Sequence, residues 1–286
     1  MDLSIIIVSW RVKDKLQANL EALFKSVQGP SFEVLVVDNN SADGTIDMLR
    51  QNFPQVRLIA NSENFGFAKA NNQAIKQAQG DFILLLNPDM QVFEDTLKNL
   101  LVWLKANPQA WVTSGRLVDE QGQIVNHVRR FPRLSDQLAI VLKLPHLFPN
   151  ILNKYLRIDF NYDKPAKVDS IRGSFFAIRR QALEKVGLLD ERFFVWFEEV
   201  DYCRRVYEAG GQVWYTPEVV CLDYVGQSFK LWSRRETQKI MRQSQLKYFA
   251  KWHSAWSVVW LALGWCLIWP VVYLADIFGV KSRAKT

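Results

Sequence analysis

Apolar residues in the first third of the chain form two patterns, short runs that are mostly apolar and helical stripes. The runs are Leu3–Val8, Glu33–Val37, Val56–Ile59 and Phe82–Leu86, of which the last is unbroken. A short run without alternation is typical of a strand buried on both faces of a sheet. Over Lys13–Val27, apolar residues recur every three or four positions, as in an amphipathic helix. This alternation predicts a parallel, doubly wound α/β sheet.

Weaker patterns predict the remaining elements. The predicted helices are Thr45–Phe53, Phe67–Gln79, Leu97–Leu104, Arg180–Val186 and Val200–Ala209, and the predicted strands are Trp111–Ser114 and Ser174–Ile178. Gly80 would end the second of these helices, as glycine commonly does. Residues 115–167 lack clear periodicity and contain four prolines. We therefore predict a long excursion there, over the ligand-binding face of the sheet.

Polar residues follow the most apolar run, Phe82–Leu86. Asn87 and Asp89 flank Pro88, which must end the strand because proline has no N–H for a sheet ladder. Asp38 ends the second predicted strand, so its carboxylate is expected at the same edge. In open α/β sheets ligands bind at this edge, and oxygen groups there can hold a hard divalent cation and, through it, phosphates. The alternative is ordinary turn chemistry, which Asn, Pro and Asp also favour.

Three more carboxylates, Glu198, Glu199 and Asp201, follow the aromatic run Phe193–Phe197. A carboxylate half-buried beside such a wall has a raised pKa, which suits a general base. The alternative is structural, because acidic residues in a first helical turn complement the helix dipole.

Two common nucleotide-binding motifs are absent from the sequence. Ser9–Arg11 stands where a dinucleotide-binding chain would have GxGxxG, and no GxxxxGK[ST] occurs. A dinucleotide dehydrogenase and a P-loop enzyme are therefore poor interpretations.

The composition of the chain indicates the class of protein, its partners and its compartment. With 49% hydrophobic and 23% charged residues among 286, the chain is globular. The net charge of +7 is scattered, which fits a membrane surface or an anionic substrate as well as a nucleic acid. The three cysteines, Cys203, Cys221 and Cys266, lack metal or CxxC spacing and indicate reduced, buried thiols. The first apolar run is too short for a secretory signal. We expect a cytosolic chain with no nucleic-acid partner.

The tail has a different pattern. Ser254–Ala275 carries no formal charge and is interrupted by Pro270. Basic residues precede and follow this segment, at Arg242, Lys247, Lys251, Lys281, Arg283 and Lys285. Tryptophans recur nearly every four residues, at Trp252, Trp256, Trp260, Trp265 and Trp269. Three interpretations stay open: an interfacial or re-entrant helix, a single spanning helix, and a packing or homodimer-forming helix of a soluble protein.

Seven segments, in this order, resemble family 2 glycosyltransferases with a GT-A fold, especially bacterial rhamnosyltransferase-like enzymes of surface-polysaccharide assembly. They are IIIVSW at 5–10, VVDNNSADGT at 36–45, NFGFAKANN at 64–72, GDFILLLNPDM at 80–90, GSFFAIRR at 173–180, VGLLDERFF at 186–194 and FEEVDYCRR at 197–205. The resemblance, which covers about Leu3–Ser228, implies a Rossmann-like, mostly parallel sheet flanked by helices. We expect a glycosyltransferase domain at 1–230, with a donor half at about 1–115 and an acceptor half at about 168–230. A helical, membrane-associating tail is expected at 231–286.

The resemblance also implies roles for individual residues. The implied nucleotide-binding residues are Ser9, Asp38, Asn39, Asn64 and Asn87. Asp89 would hold Mg²⁺ or Mn²⁺ within an Asn-Pro-Asp that replaces the family's DxD. Glu199 falls at the position of the catalytic base, with Glu198 and Asp201 as alternatives.

Two positions depart from the family pattern. Asp223 stands where many relatives have a histidine near the metal, so it becomes the second candidate metal ligand. Arg172 precedes Gly173 where a small residue is more usual, so the acceptor wall is expected to differ.

The reaction implied is an inverting transfer from a nucleoside-diphosphate sugar, with rhamnose as one candidate, to a hydroxyl of a growing glycan. A lipid-linked acceptor at the cytoplasmic face of the membrane would suit the tail. The alternative is a membrane-attached pseudoenzyme that binds a nucleotide sugar or a partner glycosyltransferase without turnover.

Overall fold

The computed structural model describes residues 1–26, 30–224 and 232–277, apart from the side chains of residues 234 and 271–277. Strands run over β1 Leu3–Ser9, β2 Phe32–Asp38, β3 Arg57–Ala60, β4 Phe82–Leu86, β5 Met90–Val92, β6 Ala110–Val118, β7 Ala166–Lys167, β8 Phe175–Arg179 and β9 Gln212–Asp223. Helices run over α1 Lys13–Lys25, α2 Thr45–Asn52, α3 Gly66–Ile75, α4 Thr96–Ala106, α5 Leu134–Val141, α6 Asn153–Leu156, α7 Arg180–Val186, α8 Glu198–Glu208, α9 Arg234–Trp252 and α10 Ala255–Ile277.

In the described part of the chain the strands form one mixed sheet, in the order β3-β2-β1-β4-β8-β6-β9-β5, with β7 paired to β9. The parallel pairs among β1, β2, β3 and β4 confirm the predicted α/β half. The chain leaves β1 toward β2 on one side and returns to β4 on the other. This is a topological switch point, where open α/β sheets bind ligands at their carboxyl edge.

The second half of the sheet is not all parallel. Strand β8 lies antiparallel to both β4 and β6, whereas β6 and β9 are parallel to each other. This pairing brings the residues before β8 and at the end of β9 beside the carboxyl end of β4.

Helices cover both faces of the sheet. Leu16, Leu20 and Leu100 belong to the core on one face. Ala70, Ala74 and the aromatic ring of Tyr202 belong to the core on the other. Because β1, β2 and β4 are buried on both faces, their continuous apolar runs are explained.

Several predicted boundaries were wrong. Helix α3 ends at Ile75 rather than at residue 79. Gly80 has another role, since a Cβ there would lie 2.5 Å from the backbone nitrogen of Ser4 in β1. Helix α8 begins at Glu198 rather than at residue 200. The predicted excursion is partly regular structure, because β6 continues to Val118 and α5, α6 and β7 follow.

The tail forms two helices, α9 and α10, that pack on the sheet domain. Tyr248 and Phe249 of α9 and Leu261 of α10 share a buried cluster with Phe193 and Phe197 of the aromatic run. Within the described ranges no helix combines the length and the apolarity needed to cross a bilayer. The predicted domain boundary at 230/231 and the basic residues 281, 283 and 285 lie outside the described residues.

Candidate active site

A cleft opens at the carboxyl ends of β1, β2 and β4. The residues that line it are Val8, Trp10, Asn39, Asn64, Gly66, Phe67, Asn87, Pro88, Phe194, Val195 and Trp232. Three of the five residues predicted to bind a nucleotide, Asn39, Asn64 and Asn87, are therefore together in one wall.

Asn39 is fixed by a network of amide hydrogen bonds. Its side-chain N–H donates to the side-chain oxygen of Asn64 at 3.2 Å and to the carbonyl of Gly66 at 3.1 Å. Its side-chain oxygen accepts from Asn61 at 2.9 Å. Gly66 has φ +79°, and a Cβ there would clash with the carbonyl oxygen of Phe194. The network thus sets the shape of the wall and leaves no room for a side chain at this turn.

Ser9 and Asp38, the other two predicted residues, are register partners at the ends of β1 and β2. One oxygen of Asp38 accepts from the backbone N–H of Ser41 at 3.1 Å. The other oxygen, and the hydroxyl of Ser9, are buried and find no hydrogen-bond partner among the described residues. Since buried polar atoms are almost always paired, these two atoms indicate a place where a polar ligand binds.

Asp89 and Asp223 are brought together by strand pairing. Met90 pairs with Asp223 across β5 and β9, and the backbone N–H of Tyr224 donates to the carbonyl of Asp89 at 3.2 Å. Both aspartates are almost fully buried, with 4% and 3% of their surface exposed. The guanidinium of Arg172 lies 3.1 Å from a carboxylate oxygen of Asp223.

The carboxylates of Asp89 and Asp223 fit one kind of divalent-cation site. In the described ranges no group of three or more His, Cys, Asp or Glu side chains could hold a metal ion by itself. Mg²⁺-type ions are commonly held by one or two carboxylates together with substrate phosphates and water. Asp89 and Asp223 fit that arrangement and not a cage built from protein alone.

Glu198 and Glu199 start α8 directly after a strained turn. Trp196 and Phe197 have φ of +67° and +71°, a left-handed conformation that bulky residues rarely adopt and that often occurs at functional sites. Glu199 lies next to the cleft, since a Cβ on Gly173 would be 3.5 Å from its Cβ and 3.8 Å from the ring of Phe67.

The two glutamates share an unpaired, low-dielectric environment. The Oε2 atom of each is buried without a hydrogen-bond partner in the described part of the chain. Burial raises the pKa of Glu198 well above its usual range, and the adjacent charge of Glu199 raises it further. Burial also raises the pKa of Glu199, although backbone N–H groups and the charge of Arg172 oppose the rise. Because the two carboxyl groups are adjacent and buried, the pair holds a proton more readily than two exposed glutamates would.

Asp201, the third candidate base, has a different environment. Its carboxylate accepts from Arg205 at 2.8 Å and from the indole of Trp252 at 2.8 Å, and the ammonium of Lys251 lies 2.7 Å away. With both oxygens engaged and no exposed surface, Asp201 connects α8 to the end of α9.

Comparison with known proteins decides the family. Residues 4–187, more than half of the chain, match the family described as glycosyl transferase family 2. The chain belongs to this family. The glycosyltransferase is 27% identical over 237 residues to an N-acetylglucosaminyl-diphospho-decaprenol L-rhamnosyltransferase of Mycobacterium tuberculosis, covering 79% of this chain and 77% of that protein. It is also 27% identical over 228 residues to the rhamnosyltransferase WbbL of Escherichia coli, covering 77% and 82%.

Solved structures confirm the GT-A fold of this glycosyltransferase. The mannosyltransferase PcManGT from Pyrobaculum calidifontis, solved with GDP-Man and Mn²⁺, has a TM-score of 0.56 and 18% identity, covering 98% of this chain and 88% of that chain. S. aureus TarS has a TM-score of 0.57 and 18% identity over 87% of this chain. This chain spans 40% of the TarS chain.

The sequence patterns did not identify the aromatic wall of the cleft. Trp232 packs edge-to-face on Trp10, with ring centroids 5.6 Å apart, and lies 5.8 Å from the ring of Phe194. These residues come from three distant parts of the glycosyltransferase chain, so no local spacing links them. The sequence had singled out Trp10, at the place of a missing glycine motif, and the aromatic run that contains Phe194, but nothing connected them to each other or to Trp232.

Proposed function

We propose that this glycosyltransferase inverts the anomeric carbon as it moves a sugar from a nucleoside-diphosphate sugar to a hydroxyl of a lipid-linked glycan. The observation that carries this proposal is the position of the Glu198–Glu199 pair. Glu199 lies beside Gly173 near Phe67, which lines the same cleft as Asn39 and Asn64. Two adjacent buried carboxylates with raised pKa values supply a candidate base beside this cleft.

The chemistry assigns a task to each group. The Glu199 carboxylate takes the proton from the acceptor hydroxyl while that oxygen bonds to the anomeric carbon. The bond from that carbon to the diphosphate breaks in the same displacement, and the nucleoside diphosphate leaves with the electron pair. One displacement with one base inverts the carbon without a covalent enzyme intermediate.

Asp89 and Asp223 are the residues that would hold Mg²⁺ or Mn²⁺ against the donor diphosphate. When bound, the cation supplies positive charge to the leaving group. Arg172, which contacts Asp223, adds a second positive charge at the same place. Two GT-A neighbours were solved with Mn²⁺, GalNAc-T7 together with UDP and PcManGT together with GDP-Man, which supports this assignment.

The names of the relatives support the donor and acceptor class. Both rhamnosyltransferases cited above match most of this chain, and one is named for a diphospho-decaprenol acceptor. Rhamnose from a nucleoside-diphosphate donor and an isoprenoid-diphosphate glycan acceptor are therefore the first pair to test.

We place the enzyme at the cytoplasmic face of the membrane. The outward side of α10 exposes large apolar side chains, including Trp256 at 74% and Trp260 at 56%. Tryptophan favours the headgroup level of a bilayer, and nucleotide sugars are available on the cytosolic side. Helix α10 would lie in the interface with its other side on the protein.

The deciding experiment measures release of nucleoside diphosphate from several nucleotide sugars, with and without lipid-linked acceptors and with Mn²⁺ or Mg²⁺. Acceptor-dependent release with inverted product is the expected result. Donor binding without any turnover would favour the pseudoenzyme, which is supported by the finding that the described residues contain no group of three or more possible metal ligands.

A further inference from the structure

We infer that the segment 143–158 is a second bilayer contact, which docks on anionic lipid beside α10. This inference rests on the proposed membrane function and goes beyond it, because neither the tail nor the cleft includes this segment. Its exposed apolar residues are Leu147 at 73%, Phe148 at 59%, Ile151 at 43% and Ile158 at 52%.

The exposed side chains are held outward by a set of closed turns. The backbone N–H groups of Leu147 and Phe148 donate to the carbonyl of Leu144 at 2.9 and 2.8 Å, and Ile151 donates to Phe148 at 3.1 Å. Backbone groups paired within the segment can approach hydrocarbon at little cost, because unpaired ones are what an apolar medium penalises. The tip of the segment, residues 147–151, can therefore enter an apolar environment without refolding.

The segment is attached to the same support as α10. Helix α5 leads directly into it, and α5 packs on α10 where Gly264 meets Leu138 and Val141. The contact is fixed by buried polar groups as well. The indole of Trp265 donates to Gln245 at 2.6 Å, and Gln245 donates to Gln137 of α5 at 2.8 Å. Both apolar surfaces therefore extend from one rigid junction.

The charges favour an anionic lipid surface over a second copy of the chain. Between Asp136 and Asp159 the sequence contains no acidic residue, whereas it contains Lys143, Lys154 and Arg157. Basic groups around an apolar tip are attracted to anionic headgroups. A symmetric dimer through this surface would instead bring the same lysines of two copies together.

The location links the contact to catalysis. Ile151 is followed four residues later by Tyr155, whose carbonyl accepts from the backbone N–H of Arg130 at 3.1 Å. Burial raises the pKa of Tyr155, and the charge of Glu199 is among the groups that add to the rise. Tyr155 is therefore the residue through which this segment is joined to the backbone at Arg130 and adjoins the surroundings of Glu199.

The test is flotation of the full-length protein with phosphatidylcholine vesicles that contain or lack phosphatidylglycerol. The test variant combines Leu147→Ser, Phe148→Ser and Ile151→Ser, and the matched control combines Phe93→Ser, Val102→Ser and Ile124→Ser, three other exposed apolar residues. We expect the test variant to lose at least about tenfold in partition onto anionic vesicles, and the control to bind as the wild type does. Unchanged binding of the test variant would overturn the inference.

Two further measurements separate the outcomes. A fluorophore sensitive to polarity, placed at Phe148→Cys in a Cys266→Ser background, should shift to the blue on anionic vesicles, and the native exposed Cys266 reports α10 separately. A dimer mass that the test variant abolishes, with vesicle binding intact, would assign the surface to a second copy instead. Flotation needs no substrate, so a wild type that binds vesicles but transfers no sugar would refute the proposed function alone.

Discussion

The indole N–H of Trp252 donates to the buried carboxylate of Asp201 at 2.8 Å. This bond fastens the end of α9 to the helix that carries Glu198 and Glu199. The ammonium of Lys251 lies 2.7 Å from the same carboxylate, so the tail and the site share one polar junction. The end of α9 is therefore packed into the domain that carries the candidate site.

Asp201→Asn should destabilise the protein by about 1–3 kcal/mol, because it leaves charged donors of a buried network without their counter-charge. Trp252→Phe should lower the free energy of unfolding by less, since it removes only the indole N–H donor and keeps an aromatic ring at this position. Chemical denaturation measures both. If Asp201→Asn keeps its stability and loses turnover, Asp201 and not Glu199 is the base.

Glu199→Gln should keep donor binding and lose turnover by about 10²–10⁴-fold, the usual contribution of a general base. Donor binding is measured by titration calorimetry and turnover by release of nucleoside diphosphate. Glu198→Gln is the neighbouring control and should retain more activity than Glu199→Gln. If Glu198→Gln loses more activity than Glu199→Gln, Glu198 is the base.

Glu198→Gln should make the protein more stable at neutral and alkaline pH. Burial raises the pKa of Glu198 in the folded state, whereas in the unfolded chain a glutamate titrates near about 4.3. Below that pH both states are protonated and the substitution should change little. As the pH rises toward the folded-state pKa, the wild type progressively loses stability that the variant keeps.

The check is thermal unfolding of Glu198→Gln against pH. Glu208→Gln, at an exposed position of the same helix, is the matched control and should show no such trend. A gain in melting temperature that stays constant across the pH range would contradict the prediction.

Asp89→Asn should weaken cation-dependent binding of a nucleoside diphosphate and abolish transfer, while the fold survives. The change in melting temperature on adding Mn²⁺ and nucleoside diphosphate measures binding independently of activity. A ligand that binds the folded state raises this temperature. Asp43→Asn, at a helix start outside the cleft lining, is a control. An undiminished Mn²⁺-dependent shift would remove Asp89 from the cation site.

Trp256→Ser with Trp260→Ser should reduce binding to anionic vesicles, and high salt should partly release the wild type, because the attraction of basic flanks is screened. These exposed positions are a cleaner test than ending the chain after Lys251, which would also remove the buried Leu261 and Trp265. Binding that is indifferent to salt and to both substitutions would exclude attachment through α10.

The parallel half of the sheet could be predicted from the order of residues alone. The run Phe82–Leu86 is strand β4 with the predicted bounds, because a strand buried on both faces needs five apolar residues in succession. The same local logic located Asn87, Asp89 and Asp38 at the carboxyl edge and the glutamates at the start of α8. Each of these inferences depends on residues close together in the chain.

The contacts that those groups make became visible only in the folded chain. Asp201 resembles its two glutamate neighbours in sequence, yet Trp252, 51 residues away, engages it. Gly80 was predicted to end a helix, but in the structure its backbone lies close to that of β1. Trp232 packs on Trp10, which is far away in the sequence. Local periodicity records which face of an element is buried. It does not record which distant side chain completes a hydrogen bond or a wall, because that depends on how the whole chain packs.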